Sequence, residues 1–485
     1  MFAAIKKANQ YIETHRNEVN PQYRHHYHLM APTGWINDPN GFVYFNGFYH
    51  LFYQYYPYDS VWGPMHWGHA RSQDLVHWEE LPVALAPSED YDRDGCFSGS
   101  AIEKDGKLYL LYTGHVVKGE KTRQVQCLAV SEDGIHFEKS PANPVISEEH
   151  VAGVADTVDF RDPKVFAQND RYYTVVAAKT PDSRGQILLF ESRDLVDWQF
   201  TSVLLEGSYE QGIMWECPDL FTLDGHDVLL VSPIQMKAQG VNYRNTSSSV
   251  AFIGSVDWQT GTFQVANYHE IDHGLDFYAP QTCQGASRRI MIAWMQMWNR
   301  TFPTHDLGHH WAGAMTLPRE LRVKDLRLEQ RPVAEVYQSL TQVKHLGRQL
   351  QDETLTLATA LPSQGYLKLR FDLTATQSLT LRYGQKEALV ITYDGKTHCL
   401  SVDRSELGYP IVGAEEPVLT GRSLELGAAG LFELECFRDT ASLELFVNGT
   451  QTMTTTFYER QENQTVTLHV VGTGIIKEII TGEID

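Results

Sequence analysis

Hydrophobic positions divide this chain into an initial helical stretch and two β-patterned regimes. Phe2, Ile5, Ala8 and Ile12 recur at helical spacing, which predicts a short amphipathic helix at the start. A different pattern then takes over. A turn is followed by an apolar or aromatic run in Asn46-Gly-Phe-Tyr-His-Leu-Phe-Tyr53, Asp105-Gly-Lys-Leu-Tyr-Leu-Leu-Tyr112, Asn169-Asp-Arg-Tyr-Tyr-Thr-Val-Val176 and Asp224-Gly-His-Asp-Val-Leu-Leu-Val231. A weaker fifth copy runs from Ser287 to Trp294. Asn-Gly and Asp-Gly between such runs signal β-hairpins.

A second unit, Ser-x-Asp followed shortly by an aromatic residue, begins at Ser72, Ser131, Ser192 and Ser255. Intervals of about 60 residues with no long helix between them predict a β-propeller of five four-stranded blades. A β-sandwich with accidental similarity is the alternative, and the even spacing argues against it. After Arg331-Pro332 the repeat stops. Residues 333–346 have the pattern of a short helical connector. From about residue 350, runs such as Tyr366-Leu-Lys-Leu-Arg-Phe-Asp-Leu373 alternate with period two and predict an antiparallel β-sandwich. The expected organisation is all-β: helix and propeller over 1–332, connector over 333–349, sandwich over 350–485.

Composition narrows the function. A formal charge of −21 over 485 residues argues against nucleic acid and anionic membrane as partners. The apolar runs are too short to span a bilayer. The first residues turn polar too early for a secretory signal, so a cytoplasmic location is expected. Six scattered cysteines without a CxxC pair predict free thiols rather than a zinc site.

The chemistry is expected just upstream of each hairpin, where the first strand of a blade lines the central channel. The motifs there are Trp35-Ile-Asn-Asp-Pro-Asn-Gly41, Cys96-Phe-Ser-Gly-Ser100, Phe160-Arg-Asp-Pro-Lys164, Trp215-Glu-Cys-Pro-Asp219 and Phe277-Tyr-Ala-Pro-Gln281. Asp38, Asp162 and Glu216 are each followed by proline at once or one residue later. A single Asp-Pro is by default a turn, but three copies on blades one, three and four predict convergence on the axis. Converging carboxylates with no Gly-rich phosphate loop suit glycoside hydrolysis, which needs two carboxyl groups flanking the bond. Calcium or magnesium binding is the weaker reading, because the neighbouring prolines and aromatics offer few oxygen ligands. No cofactor and no metal are expected.

These motifs resemble those of glycoside hydrolase family 32 over nearly the whole chain. The resemblance implies a five-bladed propeller followed by a β-sandwich, and cleavage of the β-fructofuranosyl bond of sucrose or sucrose 6-phosphate with retention. It makes Asp38 the nucleophile, Glu216 the general acid/base and Asp162 the transition-state stabiliser. Asn37, Gln54, Trp62, Phe97, Ser98 and Arg161 would line the fructose pocket, with Trp298 as a late-blade tryptophan. Arg161 is expected to hold Asp162 charged if it points into the same pocket, and Cys217 to pack or to tune Glu216. The rivals are an inulinase, levanase or fructosyltransferase, an inverting furanosidase, and a non-catalytic sugar-binding propeller. The resemblance points further to the sucrose-6-phosphate hydrolase branch through Trp298–Thr304 and His309–Gly313, so the phosphorylated sugar is the expected better substrate. Lys237, Arg244, Arg300 and His305 are the candidate phosphate contacts. The expected partner is a small sugar, and the sequence sets no oligomeric state.

Overall fold

The computed structural model describes all residues except 152, 156, 347–348, 359–363, 416, 428–429, 461–464 and 485; the side chains of 342–346 and 358 are also undescribed. Five sheets form the blades of a propeller. Their innermost strands are Gly34–Phe45, Gly95–Lys104, Phe160–Gln168, Met214–Leu223 and Tyr278–Thr282. Each touches the next, and the fifth touches the first, so they ring one axis.

The hairpin signals act as their residue types require. Asn46-Gly47, Asp105-Gly106, Asn169-Asp170 and Asp224-Gly225 all have positive φ at both positions, the type I′ geometry that matches strand twist. The Ser-x-Asp repeat is turn chemistry too. The hydroxyls of Ser72, Ser131 and Ser192 bond to Asp74, Asp133 and Asp194, whose Oδ1 atoms each accept two backbone N–H groups. The repeat therefore builds blades and carries no catalysis.

A strand from late in the chain closes the ring. Trp311–Ala312 adds in parallel to the first blade, pairing Gly34 with Trp311 and Trp35 with Ala312. Gly313 follows with φ +91, and a Cβ there would lie 2.3 Å from the Ile36 carbonyl oxygen. Only glycine fits this close approach. The stretch His309–Gly313, read from sequence as a substrate-branch signature, thus serves as the seam of the propeller.

The helix Phe2–His15 lies against the outer strand Glu79–Leu85 of the first blade. It buries Ala8 and Ile12, and Asn9 accepts a hydrogen bond from the Val83 N–H. Phe2, placed by its spacing on the apolar face, is instead 81% exposed.

The connector is mostly strand. Among its described residues it holds helix over Ala334–Gln338, and Leu340–Leu346 pairs with the last strand of the chain. That last strand, Val466–Ile484, runs 19 residues and pairs with four others. It makes the C-terminal region one eleven-stranded sheet curled over its own core.

Propeller and C-terminal sheet meet through buried charge. His28 lies between Asp439 and Glu444, at 2.8 Å from each. Glu444 and Asp272 also hold Arg319, while Asp276 holds Arg300 and Arg404. Burial opposes the charge on His28, but its two carboxylates prevail and raise its pKa to about 9.

Candidate active site

In all five innermost strands the ladder slips at the motif. The irregularities fall between Ile36 and Pro39, Phe97 and Gly99, Arg161 and Lys164, Glu216 and Asp219, and Tyr278 and Gln281. A bulge bends its strand and leaves a residue unpaired, so proline, which cannot donate to a ladder, is tolerated there. Asp162, Cys217 and Ala279, each just before a proline, have φ of +65, +49 and +52. Such conformations cost on the order of 1–3 kcal/mol each and persist where surrounding structure enforces them.

The bulges arrange the motif side chains in two tiers. Asp38, Ser98, Asp162 and Cys217 hold the position next to the proline or glycine. Ser98 Oγ donates to Asp38 Oδ2 at 2.6 Å. Cys217 Sγ lies 3.4 Å from Asp38 Oδ2 and 3.5 Å from Asp162 Oδ2, and its backbone N–H donates to Asp162 at 2.9 Å. Asn37, Phe97, Arg161, Glu216 and Tyr278 come one residue earlier. In this tier Arg161 donates to Glu216 Oε1 through Nε and Nη2, at 3.0 and 2.9 Å, and the Tyr278 hydroxyl donates to Oε2 at 2.5 Å. Asn37 Nδ2 joins the tiers by donating to Asp38 Oδ1 at 3.0 Å. The repeat equivalent of Asp38 and Asp162 is therefore Cys217, with Glu216 one step away.

Two sequence expectations change here. The Cys217 side chain bonds to Asp38 and Asp162 rather than tuning Glu216. Arg161 spends its fork on Glu216, Asp159 and Gln124. Asp162 is therefore not held low: burial and the charges of Glu216 and Asp38 outweigh Arg161 and push its pKa up to about 7. Burial also raises the pKa of Asp38, against the hydrogen bonds from Ser98 and Asn37.

A cavity of about 540 Å³ opens over these tiers and takes in Asn37, Asp38, Gln54, Trp62, Phe97, Ser98, Arg161, Asp162, Glu216 and Trp298. All ten residues expected to do the chemistry or line the fructose pocket therefore share one site. Gln54 is fixed by donating to the Cys96 carbonyl. Trp62 stands at the rim, 46% exposed, edge-on to Phe97. Trp298 packs on Trp35 and Trp294. The cavity also includes His115, Val117, Thr122, Gln124, Val158 and Asp159, which the motifs did not reveal. All six lie outside the strands that carry the motifs, Asp159 immediately preceding one. Tyr278 could have been found, since it stands two residues before Pro280 as Glu216 does before Pro218.

The candidate phosphate contacts lie elsewhere. Arg300 is buried at the interdomain junction, bonded to Asp276, Glu415 and the Leu275 carbonyl. Lys237 pairs with Glu210, Arg244 with the Gly240 carbonyl and His305 with Ser60. None lines the cavity. Among the described residues, the group whose possible metal-ligand atoms come within 4.8 Å of one another is His25, His28 and Asp439, at the junction rather than here.

A match to the glycosyl hydrolases family 32 N-terminal domain spans residues 28–332, and a match to the family's C-terminal domain spans residues 332–481. The chain belongs to glycosyl hydrolase family 32. As a family 32 member it is a glycosidase of the β-fructofuranosidase kind. It is 39% identical to a sucrose-6-phosphate hydrolase of Escherichia coli over 471 residues, 95% of this chain and 94% of that one. Among solved family 32 structures, it resembles a Bombyx mori β-fructofuranosidase mutant in complex with sucrose, at TM-score 0.83 and 34% identity over 98% of this chain and 97% of that one. It also resembles a sucrose-6-phosphate hydrolase from Lactobacillus gasseri, at TM-score 0.86 and 30% identity over 98% and 96%.

Proposed function

We propose that this β-fructofuranosidase hydrolyses sucrose-type substrates by double displacement, with Asp38 as nucleophile, Glu216 as general acid and then base, and Asp162 bonding the fructosyl hydroxyls. The observation that carries the reading is the two-tier arrangement. Asp38 receives three side-chain donors, from Asn37, Ser98 and Cys217, which fix the attacking carboxylate. Glu216, one tier away, is gripped from both sides by Arg161 and Tyr278 and is less buried than Asp38. Two carboxyls in unlike surroundings suit two roles.

In the first step Asp38 attacks the anomeric carbon while Glu216 gives its proton to the departing glycosidic oxygen. In the second, Glu216 takes a proton from water, which attacks the fructosyl ester and frees Asp38. NMR at early times should show β-fructofuranose before mutarotation. An initial α-anomer would remove Asp38 as nucleophile.

Sucrose 6-phosphate is the second reading, supported by the sucrose-6-phosphate hydrolases among the similar proteins. A cytoplasmic setting belongs to the proposal. Its support is that the six cysteines are free thiols, as a reducing compartment would keep them.

A further inference from the structure

With Glu216 as the acid that protonates the glycosidic oxygen, the leaving sugar departs past Glu216, and the wall there continues through Arg161 to Asp159. There the cavity wall is formed by His115, Val117, Thr122, Gln124, Val158 and Asp159. The single cation lining the cavity among the described residues is Arg161, already bound to Glu216, Asp159 and Gln124. His115 stacks on Phe97 at 4.0 Å, and burial lowers its pKa to about 4, which leaves it neutral. Lys118 and Lys121 at the nearby hairpin tip do not fill the gap. They pair with each other one step beyond the pair Val117 and Thr122. Successive strand residues point to opposite faces, so both lysines point away from the cavity. Asp159 receives Arg161 Nη1 at 2.9 Å and pairs with Lys179. Burial would raise its pKa, but these two cations hold it below the usual carboxylate range. The leaving-group wall thus carries an ionised carboxylate, Asp159, held between Arg161 and Lys179, and among the described residues its one lining cation is already committed to carboxylates.

We propose that Asp159 makes this wall select an uncharged sugar, accepting a hydroxyl hydrogen bond from the leaving group and repelling a phosphate placed there. This rests on the β-fructofuranosidase reading and reverses the sequence-based expectation of a phosphorylated substrate. Like charges brought together at a recognition surface are a strong means of discrimination.

The test compares kcat/KM for sucrose and sucrose 6-phosphate, using the full chain and the variants Asp159→Asn and Lys179→Met. The unaltered enzyme should favour sucrose by about tenfold or more, the ratio produced by 1.4 kcal/mol. Asp159→Asn should shift the ratio toward the phosphorylated sugar by about tenfold, whereas a merely structural defect would depress both sugars alike. Lys179→Met should keep or sharpen the preference for sucrose, because Asp159 loses one of its two cations. Equal or better use of sucrose 6-phosphate by the unaltered enzyme overturns the proposal. So does an unchanged ratio in Asp159→Asn, or a shift toward the phosphorylated sugar in Lys179→Met, which strips a cation from Asp159 and so should sharpen the discrimination. If the unaltered enzyme splits neither sugar, the β-fructofuranosidase reading itself fails.

Discussion

Arg161 holds Oε1 of Glu216 with two nitrogens at once, Nε at 3.0 Å and Nη2 at 2.9 Å. A planar fork of this kind fixes direction as well as distance. Lysine at this position would keep the charge and lose the fork. Arg161→Lys should lower kcat by about 10–100-fold with little change in KM, the size expected for a hydrogen bond to a charged group. Steady-state kinetics on sucrose would check this, and an unchanged kcat would show that Arg161 does not orient the acid.

Asp38→Asn and Glu216→Gln should both fold and lose activity by at least about 10²–10⁴-fold. They should differ on a substrate with a good leaving group, such as p-nitrophenyl β-fructofuranoside. That leaving group needs no proton, so Glu216→Gln should regain fructosyl transfer in a burst of nitrophenol, while Asp38→Asn should remain silent. A burst in Asp38→Asn would exclude it as nucleophile.

Asp162 couples function to stability. Its folded pKa, about 7, lies above the unfolded value near 3.9. The folded state therefore binds its proton more tightly. That contribution is fully present below about pH 4 and is lost as pH rises through 7. Above pH 7 an ionised Asp162 is a burden on the fold. Asp162→Asn should raise Tm at pH 8, lose most of that advantage near pH 5, and nearly abolish hydrolysis. Scanning calorimetry at both pH values decides it, since a variant less stable than wild type at pH 8 contradicts the sign.

His28 should show its pH dependence at the junction. Its pKa is raised to about 9, so the stability it supplies is present below about pH 6.5 and fades as pH rises through 9. Replacing it with alanine leaves Asp439 and Glu444 buried without their shared partner. Breaking a buried ion pair in this way costs about 3–5 kcal/mol. His28→Ala should therefore melt well below wild type at pH 6, with a smaller gap at pH 10. An equal gap at both pH values would mean that the imidazole acts by shape alone.

The parts of this molecule that repeat were readable from sequence, and the parts that depend on distant pairing were not. Hairpin dipeptides and acid-proline motifs are local and recur, so they marked the blades and brought Asp38, Asp162 and Glu216 to attention. The one-residue offset between Glu216 and the other two acids showed in the spacing to proline, but the bulge that gives it meaning, with Cys217 as the counterpart of Asp38 and Asp162, was hidden. Asp159 precedes the Arg161-Asp162-Pro163 motif with no pattern of its own, and its meaning comes from Arg161 and Lys179. Arg300 looked like a loop cation because the charges that bury it, Asp276 and Glu415, lie 24 and 115 residues away. The helical reading of the connector held over Ala334–Gln338 and no further, because Leu340–Leu346 takes its conformation from a strand more than 130 residues later.

The seam between Trp311–Ala312 and Gly34–Trp35 ends three residues before Asp38. Asp38 therefore sits on a blade assembled from an early and a late strand of the propeller. Opening the seam would release Trp35, whose indole N–H holds Asn37, which in turn holds Asp38. A ligand that engages Asp38 is accordingly linked to ring closure, and by mass action it should suppress opening there before it stabilises the remote blades. The backbone amide of Gly34, bonded to the His310 carbonyl across this junction, would report that protection in hydrogen exchange.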